Sequence, residues 1–465
     1  MAVSRTSSAP ELLVPLRRDG REPLARQLEQ QLREAVRSER LAPDATLPSS
    51  RALAAQAGVA RGVVVAAYEQ LVAEGYLVAR PGGSTRVARV PGVPARPRPA
   101  SNPVPFEIDF RPGRPDLREF PRAVWLKSVR RVMAETPAAS LGYLGGHGTA
   151  ELREALATYL NRSRGTCISP NDIVISTGFA QGIQLVVRAL LATGARRIGL
   201  EDPYHPDYRA MITALGAEAV PVPIDDDGMQ VDLLDGLHLD AVLVTPAHQY
   251  PTGAVLPPDR RAALLEWADR HDAIIVEDDY DAEFRYDRDP IGAVQGLCSE
   301  RIVYAGTASK TLAPGLRLGW LAAPRRLVEP IAAAKMAADQ GSGGFEQLAL
   351  ADFIEHGELD RHLRRVRPIY RRRRDAMLAA LRRHLPEANP VGASAGLHLL
   401  AWLPPDVDDN ALVARAAETG IGLIPASTAS CGAAPRTGLV LGYAATDERR
   451  IDAGVERLAR LVTWR

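Results

Sequence analysis

Lysine is nearly missing from this chain. Of its 57 basic residues only Lys127, Lys310 and Lys335 are lysine, and all the others are arginine. A chain that has drifted so far toward arginine keeps lysine where a guanidinium cannot substitute. Forming a Schiff base is such a job, because it needs an amine that can lose its proton, and arginine does not lose one in a protein. Cysteine is scarce as well: Cys167, Cys298 and Cys431 are odd in number and far apart, which argues against a disulfide framework or a zinc site. No apolar run approaches the roughly 20 residues that span a bilayer. Met1 to Pro10 also lacks the charged-then-apolar pattern of an export signal. These absences lead us to expect a soluble, cytoplasmic protein.

The chain has 465 residues, a length that suggests about three domains or subdomains. The net charge of +1 hides an asymmetry. Residues 1–98 hold 15 arginines and 9 acids, whereas residues 99–465 hold 42 basic and 47 acidic residues. A basic front end on an acidic body points to separate partners, with nucleic acid natural for the basic part. Within it, Pro23 to Arg40 repeats Leu24, Leu28, Leu32 and Val36 at helical spacing. Ser49-Ser50-Arg51 then opens a short helix over Ala52 to Ala57, Gly58-Val59-Ala60 turns the chain, and a third helix runs from Arg61 to Glu74. Tyr76 to Ala79 and Arg86 to Ala88 read as a hairpin around Pro81-Gly82-Gly83. Three helices followed by a two-stranded wing make a winged helix-turn-helix over residues 15–89.

The segments Leu47-Pro48-Ser49-Ser50-Arg51-Ala52-Leu53-Ala54, Gly58-Val59-Ala60-Arg61 and Tyr68 to Leu77 resemble the DNA-binding domain of GntR-type regulators. By position, the resemblance implies that Arg51 and Arg61 contact double-stranded operator DNA, with Gly62 and Val63 starting the recognition helix and Gly82 and Gly83 at the wing tip. Arginine suits the task because its fork takes guanine O6 and N7 together or grips a phosphate. The family often has hydroxyl or basic residues where this chain has Gly62, Val63 and Ala66. Specificity should therefore rest more on Arg51, Arg61 and DNA shape. A small helical module for protein contacts is the competing reading.

Residues 90–105 hold six prolines in sixteen positions and read as an extended tether. From Phe106 to the end, apolar runs alternate with helical stretches: Ile173–Ser176, Arg197–Leu200, Ala241–Val244, Ala273–Val276 and Ile302–Tyr304. The pattern predicts an α/β body with a largely parallel sheet, whose ligands bind outside the carboxyl ends of the strands. Those ends carry a coherent set of groups. Gly178-Phe179-Ala180 opens a helix whose free N–H groups can cradle phosphate. Asp278 and Tyr280 offer a carboxylate and a phenol, His248 and its neighbours offer polar donors, and Thr307, Lys310 and Arg317 complete the ring. Pyridoxal 5'-phosphate needs such a phosphate site, carboxylate, phenol and amine.

The same residues resemble fold-type I aminotransferases. Together with the winged helix, Ile108 to Asp116 and Gly396-Leu397-His398-Leu399-Leu400, they resemble the MocR subgroup of GntR regulators. The implied fold class is an α+β winged helix-turn-helix followed by an α/β fold-type I transferase-like domain over 106–465, with a smaller part from about residue 345. The resemblance implies that Lys310 is the Schiff-base lysine, Asp278 the pyridinium partner and Tyr280 the donor to the ring oxygen. Thr307 and Arg317 would bind phosphate with the backbone of Gly178, Phe179 and Ala180. Tyr143 would reach the neighbouring subunit's phosphate, which implies a homodimer with shared sites, a domain-swapped form being one version. Either Tyr204 or His205 could stack on the cofactor ring, and register favours His205.

One departure bears on the ligand. In aminotransferases an arginine between leucines clamps the substrate carboxylate, and here Leu439-Val440-Leu441-Gly442 places Val440 there. Losing such a charged hydrogen bond costs about 1.5–3 kcal/mol, unless Arg436 or another arginine swings in. The first reading is therefore a regulator whose small-molecule effector is pyridoxal phosphate itself or an amine without an ordinary α-carboxylate, controlling vitamin B6 or amine metabolism. The second is an active aminotransferase with a residual DNA-binding domain. The run Arg371-Arg372-Arg373-Arg374 reads as an exposed helix face.

Overall fold

Leucines at three- and four-residue spacing build the first unit of this computed structural model, which describes residues 15–18, 22–38, 40–79, 84–88, 106–286, 291–431 and 436–462. The chain divides into two units, Met1–Pro103 and Val104–Arg465. In the first, α1 (Leu24–Arg37) buries Leu28, Leu32 and Ala35. The next helix, α2 (Ser50–Ala57), starts two residues earlier than its apolar pattern suggests. The cause is Ser49, whose hydroxyl accepts the Ala52 N–H at 3.2 Å and caps the helix. It ends at Gly58, whose φ of 63° is left-handed. Val64, Ala67, Tyr68 and Leu71 of α3 (Arg61–Ala73) close the core, and the Tyr68 hydroxyl donates to the Pro48 carbonyl at 2.9 Å. Then β1 (Leu77–Val78) pairs antiparallel with β2 (Arg86–Val87) as the wing. Gly82, Gly83 and the expected tether at 90–105 lie outside the described residues.

The second unit opens with β3 (Ile108–Asp109), α4 (Arg122–Glu135) and α5 (Ala150–Arg164). The large sheet follows: β4 (Ile173–Ser176), α6 (Phe179–Ala192), β5 (Arg197–Asp202), α7 (Pro206–Ala214), β6 (Glu218–Asp225), β7 (Gly228–Met229), β8 (Ala241–Val244), α8 (Pro258–Arg270), β9 (Ile274–Asp279), β10 (Ile302–Thr307) and β11 (Gly319–Ala322). Its order is β4-β11-β10-β9-β8-β5-β6-β7. The run from β10 through β9, β8 and β5 to β6 is parallel. β11 runs against both β10 and β4, and β7 runs against β6, so the sheet is mixed at both edges. Because β11 is antiparallel to both neighbours, β4 points the same way as β10. Ser176, Asp202, Asp279 and Thr307 therefore all end on one rim. β4, β8, β9 and β10 are buried along their whole length, as expected for strands covered on both faces.

The chain continues through α9 (Arg325–Asp339), α10 (Gly344–Glu355) and the long α11 (Glu358–His384). A smaller sheet then uses β12 (Asn389–Val391) and β13 (His398–Trp402), passes through α12 (Asp409–Glu418) and β14 (Ile421–Gly422), and adds β15 (Ile424–Pro425) and β16 (Gly438–Gly442) before α13 (Glu448–Ala459). Its order is β12-β13-β16-β15, while β14 pairs in parallel with β3 and ties the start of the body to its end.

The arginine run on α11 is not one exposed face. Arg371 and Arg372 are exposed, but Arg373 and Arg374 are buried, because successive helix residues are rotated by about 100° and four in a row cannot share a face. Arg373 donates to Asp116 at 2.9 Å inside the protein, and Arg118 holds the other Asp116 oxygen at 2.8 Å. Replacing Asp116 by Ala leaves the Arg373 charge buried without its carboxylate. The expected loss in unfolding free energy is about 3 kcal/mol, measured by chemical denaturation of the full chain.

Candidate functional site

Lys310 sits just beyond β10, where the chain turns back toward β11, and faces a cavity of about 250 Å³. Its ammonium donates to the Gly113 carbonyl at 2.8 Å. Gly113 has a φ of 73°, and a Cβ there would stand 2.6 Å from Nζ, so glycine is required for this approach. Burial lowers the Lys310 pKa, against the opposing pull of Asp281 and Asp278. More of the nucleophilic free amine is thus present at neutral pH than an exposed lysine would offer.

Asp278 stands across the cavity on β9. The Tyr204 hydroxyl donates to its Oδ2 at 2.7 Å, but its Oδ1 is buried without a hydrogen-bond partner. Burial raises its pKa well above the carboxylate range, so the charged form is disfavoured where nothing positive stands opposite. Tyr280 also lines the cavity, and its hydroxyl lies 3.1 Å from His248 Nδ1.

At the other end Phe179 and Ala180 begin α6 behind Gly178, whose φ is 88°. A Cβ on Gly178 would come within 3.2 Å of the Arg317 guanidinium. That guanidinium donates to the Thr177 carbonyl at 2.7 Å, and Thr307 Oγ1 lies 3.0 Å from Ser309 Oγ. A helix N-terminus, two hydroxyls and a cation make an anion cup.

The cavity wall holds Lys310, Asp278, Tyr280, Thr307, Arg317, Phe179, Ala180, Tyr204 and His205. His248 and Tyr143 are not in it. His248 lies behind Tyr280, buried, with Nδ1 3.2 Å from the Asp281 carboxylate and Nε2 3.3 Å from the Gly392 carbonyl. Its ring and its carbonyl both lie within hydrogen-bond distance of the Tyr280 hydroxyl. Tyr143 is 95 % exposed and borders a separate cavity with Leu144 and residues of the 340–345 loop. Tyr204 spends its hydroxyl on Asp278, whereas the half-exposed His205 ring packs beside Tyr208 and Tyr250 at centroid distances of 5.0 and 5.5 Å. Ser309, Tyr208, Tyr250 and His398 also line the wall, and of these Tyr250 is among the polar neighbours of His248 in the sequence. Tyr208 reads as an ordinary helix residue, and only its neighbourhood in space shows otherwise.

Val440 is fully buried in β16, paired with Leu400 and Ile424 and packed with Ala426. Arg436 stacks on Trp402 at 4.1 Å and borders a different cavity. Arg114, near enough to Lys310 to lower its pKa, is paired with Asp109 at 2.9 Å. Among the described residues of the cavity wall, Lys310 and Arg317 are the only lysine or arginine side chains.

In the first unit Arg51 and Arg61 are exposed, and Arg61 Nε donates to Ser50 Oγ at 3.3 Å. Gly62 faces open space. Val63, expected on the exposed DNA-facing side, is half-buried against the core instead, because it adjoins Val64 on the inward stripe of α3.

The body thus presents an aminotransferase-type cofactor site, and the front unit a DNA-binding winged helix. Residues 24–87 match the model for bacterial regulatory proteins of the gntR family, and residues 114–458 match aminotransferase class I and II. The chain is 32% identical to the probable rhizopine catabolism regulatory protein MocR of Rhizobium meliloti, over 96% of this chain and 95% of that one. It is 35% identical to the pyridoxine biosynthesis transcriptional regulator PdxR of Corynebacterium glutamicum, over 91% and 92%. Among solved structures, Pyrococcus horikoshii kynurenine aminotransferase matches with a TM-score of 0.71 and 28% identity, covering 77% of this chain and 91% of that one. The chain belongs to the MocR-type GntR regulators, which join a DNA-binding domain to an aminotransferase-like domain. The cofactor of that domain is pyridoxal phosphate, and the orphaned Asp278 Oδ1, the anion cup at the start of α6 and the buried amine of Lys310 fit it. Among the described residues no helix is long and apolar enough to cross a membrane.

Glu201 backs this site, buried on β5 and accepting from Thr245 and Gln249. Burial pushes its pKa up to about 7. The native state then holds a proton that the unfolded state has lost, so stability falls as pH rises from about 4.5 to 7. Comparing cofactor-free protein at about pH 5 and about pH 8 by chemical denaturation, Glu201→Gln should shrink that decline by about 3 kcal/mol.

Proposed function

We propose that this regulator senses a primary amine without an ordinary α-carboxylate, or pyridoxal phosphate itself, and responds by changing its grip on operator DNA. The observation that carries the reading is the cavity beside Lys310: an amine and a carboxylate face each other there, while the place of the carboxylate clamp is the buried Val440. Pyridoxal phosphate, when bound, supplies an aldehyde that amines capture and a ring that spreads charge. Asp278 would hold the proton of the ring nitrogen through Oδ1, Tyr280 would hydrogen-bond the ring oxygen, and His205 would lie against the ring. Arg317, Thr307 and the N–H groups after Gly178 would hold the phosphate. Lys310 would supply the free amine, and an amine effector entering the cavity would compete with it.

The same reading takes the front domain as 15–89, the tether as 90–105 and the body as 106–465. It also takes the working form as a homodimer, because Tyr143 is exposed far beyond what its own subunit can use. Arg51 and Arg61 are the proposed DNA contacts. The C. glutamicum relative is a regulator of pyridoxine biosynthesis, which supports vitamin B6 as one setting for this sensing. Catalysis is the second reading, and the half-buried Val63 with the bare Gly62 on the DNA-facing helix favours it.

Binding of the protein to its own promoter fragment, followed by fluorescence anisotropy while pyridoxal phosphate and then amines are added, tests the sensing reading. An affinity change is expected with pyridoxal phosphate or a simple amine, and α-amino acids should add little. Steady turnover with a 2-oxo acid acceptor and no effect on DNA binding would favour the second reading instead. Arg51→Ala and Arg61→Ala should each weaken operator binding by about 1–3 kcal/mol and flatten its dependence on salt.

A further inference from the structure

His398 opens β13 and lines the cavity, although only 1% of its surface is exposed. Neither ring nitrogen has a hydrogen-bond partner of good geometry among the described residues. The Pro251 carbonyl offsets only part of its burial, and the ring is held neutral, well below the usual histidine range. A neutral imidazole carries one donor and one acceptor, and a purely structural position would be better filled by an apolar ring. His248, 5.2 Å away between ring centroids, shows the contrast, since both of its nitrogens are engaged.

The register of the small sheet places this residue further. Leu400 pairs with Val440, and His398, two residues earlier on β13, pairs with Gly442. Side chains two apart on a strand share a face. His398 is thus a polar side chain on the face where Leu400 meets the apolar Val440, and it reaches the cavity beside Ile424. The donor atoms of His248, Asp281 and His398 also lie within 4.8 Å of one another. A metal ion there would have to break the contacts of His248 to Asp281 and Gly392, which argues against one.

Resting on the amine-sensing reading, we propose that His398 reads the far end of the effector by hydrogen-bonding a neutral polar group, a hydroxyl or carbonyl, carried by a primary amine. It is a specificity residue at the site that Lys310 defines.

The test uses the full-length protein loaded with pyridoxal phosphate. Ethanolamine, propanolamine and butanolamine are titrated against propylamine, butylamine and pentylamine, each pair matched in length, by following cofactor absorbance to equilibrium. At least one amino alcohol should bind about tenfold tighter than its alkyl match. In His398→Phe the ratio of the two dissociation constants should fall to about one, and in His398→Gln, which keeps a donor and an acceptor, part of it should return. The ratio is taken within each variant, so a general loss of affinity does not count as support. Equal binding of every pair by the unsubstituted protein overturns the proposal. So does a preference that survives in His398→Phe, or tighter binding of γ-aminobutyrate than of every amino alcohol. Failure of the unsubstituted protein to take up any cofactor defeats the amine-sensing reading itself, and uptake is measured first, so the two failures are told apart.

Discussion

Burial of an amine and a carboxyl group at a shared cavity is the constraint on which the rest of this body depends. Lys310 and Asp278 are each pushed toward their uncharged forms by desolvation, although each would favour the charged state of the other. The fold holds the carboxylate with one oxygen satisfied by Tyr204 and the other unpaired. Such an atom costs about 1–3 kcal/mol, and under the proposed reading a protonated ring nitrogen placed opposite it would remove that cost.

What holds these two groups in place is the rigidity of the rim. β9 and β10 are parallel neighbours along five paired residues, so Asp278 and the start of the Lys310 turn are fixed to one another by backbone hydrogen bonds. β11 then reverses the chain and brings Gly319 against the backbone of Gly178. That contact leaves no room for a side chain at Gly319. It also sets Arg317 against the N-terminus of α6, where a phosphate can be held. The amine, Thr307 and Arg317 thus belong to one hairpin, and the start of α6 completes the cup from outside it.

Much of this was legible beforehand because strands covered on both faces read as unbroken apolar runs. Ile173–Ser176 and Ala241–Val244 were read with the bounds they have. The start of α2 was read late because its cap, Ser49, lies outside the apolar pattern. Lys310 stood out because arginine cannot do its job. The position of His248 behind Tyr280 was not legible, because a histidine near a strand end gives no sign of whether it faces the cavity or packs behind a residue that does. The arginines of α11 misled because charge suggests exposure, whereas Asp116, far away in sequence, pulls Arg373 inward. His398 lay within the Gly396–Leu400 segment, but the poor hydrogen bonding of its ring is a property of the packed neighbourhood alone.

The distinction between sensing and turnover comes down to what the small sheet offers. A transaminating site must accept an amino acid and then a 2-oxo acid, and both carry the carboxylate that an arginine at position 440 would clamp. Under the sensing reading Val440 would withdraw that clamp from both half-reactions, and it is buried in a cluster with Leu400 and Ala426. Arg436 is committed to Trp402 at 4.1 Å. An amine without a carboxylate loses nothing by the change. Under the sensing reading, one apolar substitution on β16 therefore discriminates against the commonest amines of the cell, and leaves recognition to the uncharged polar groups that remain in the wall.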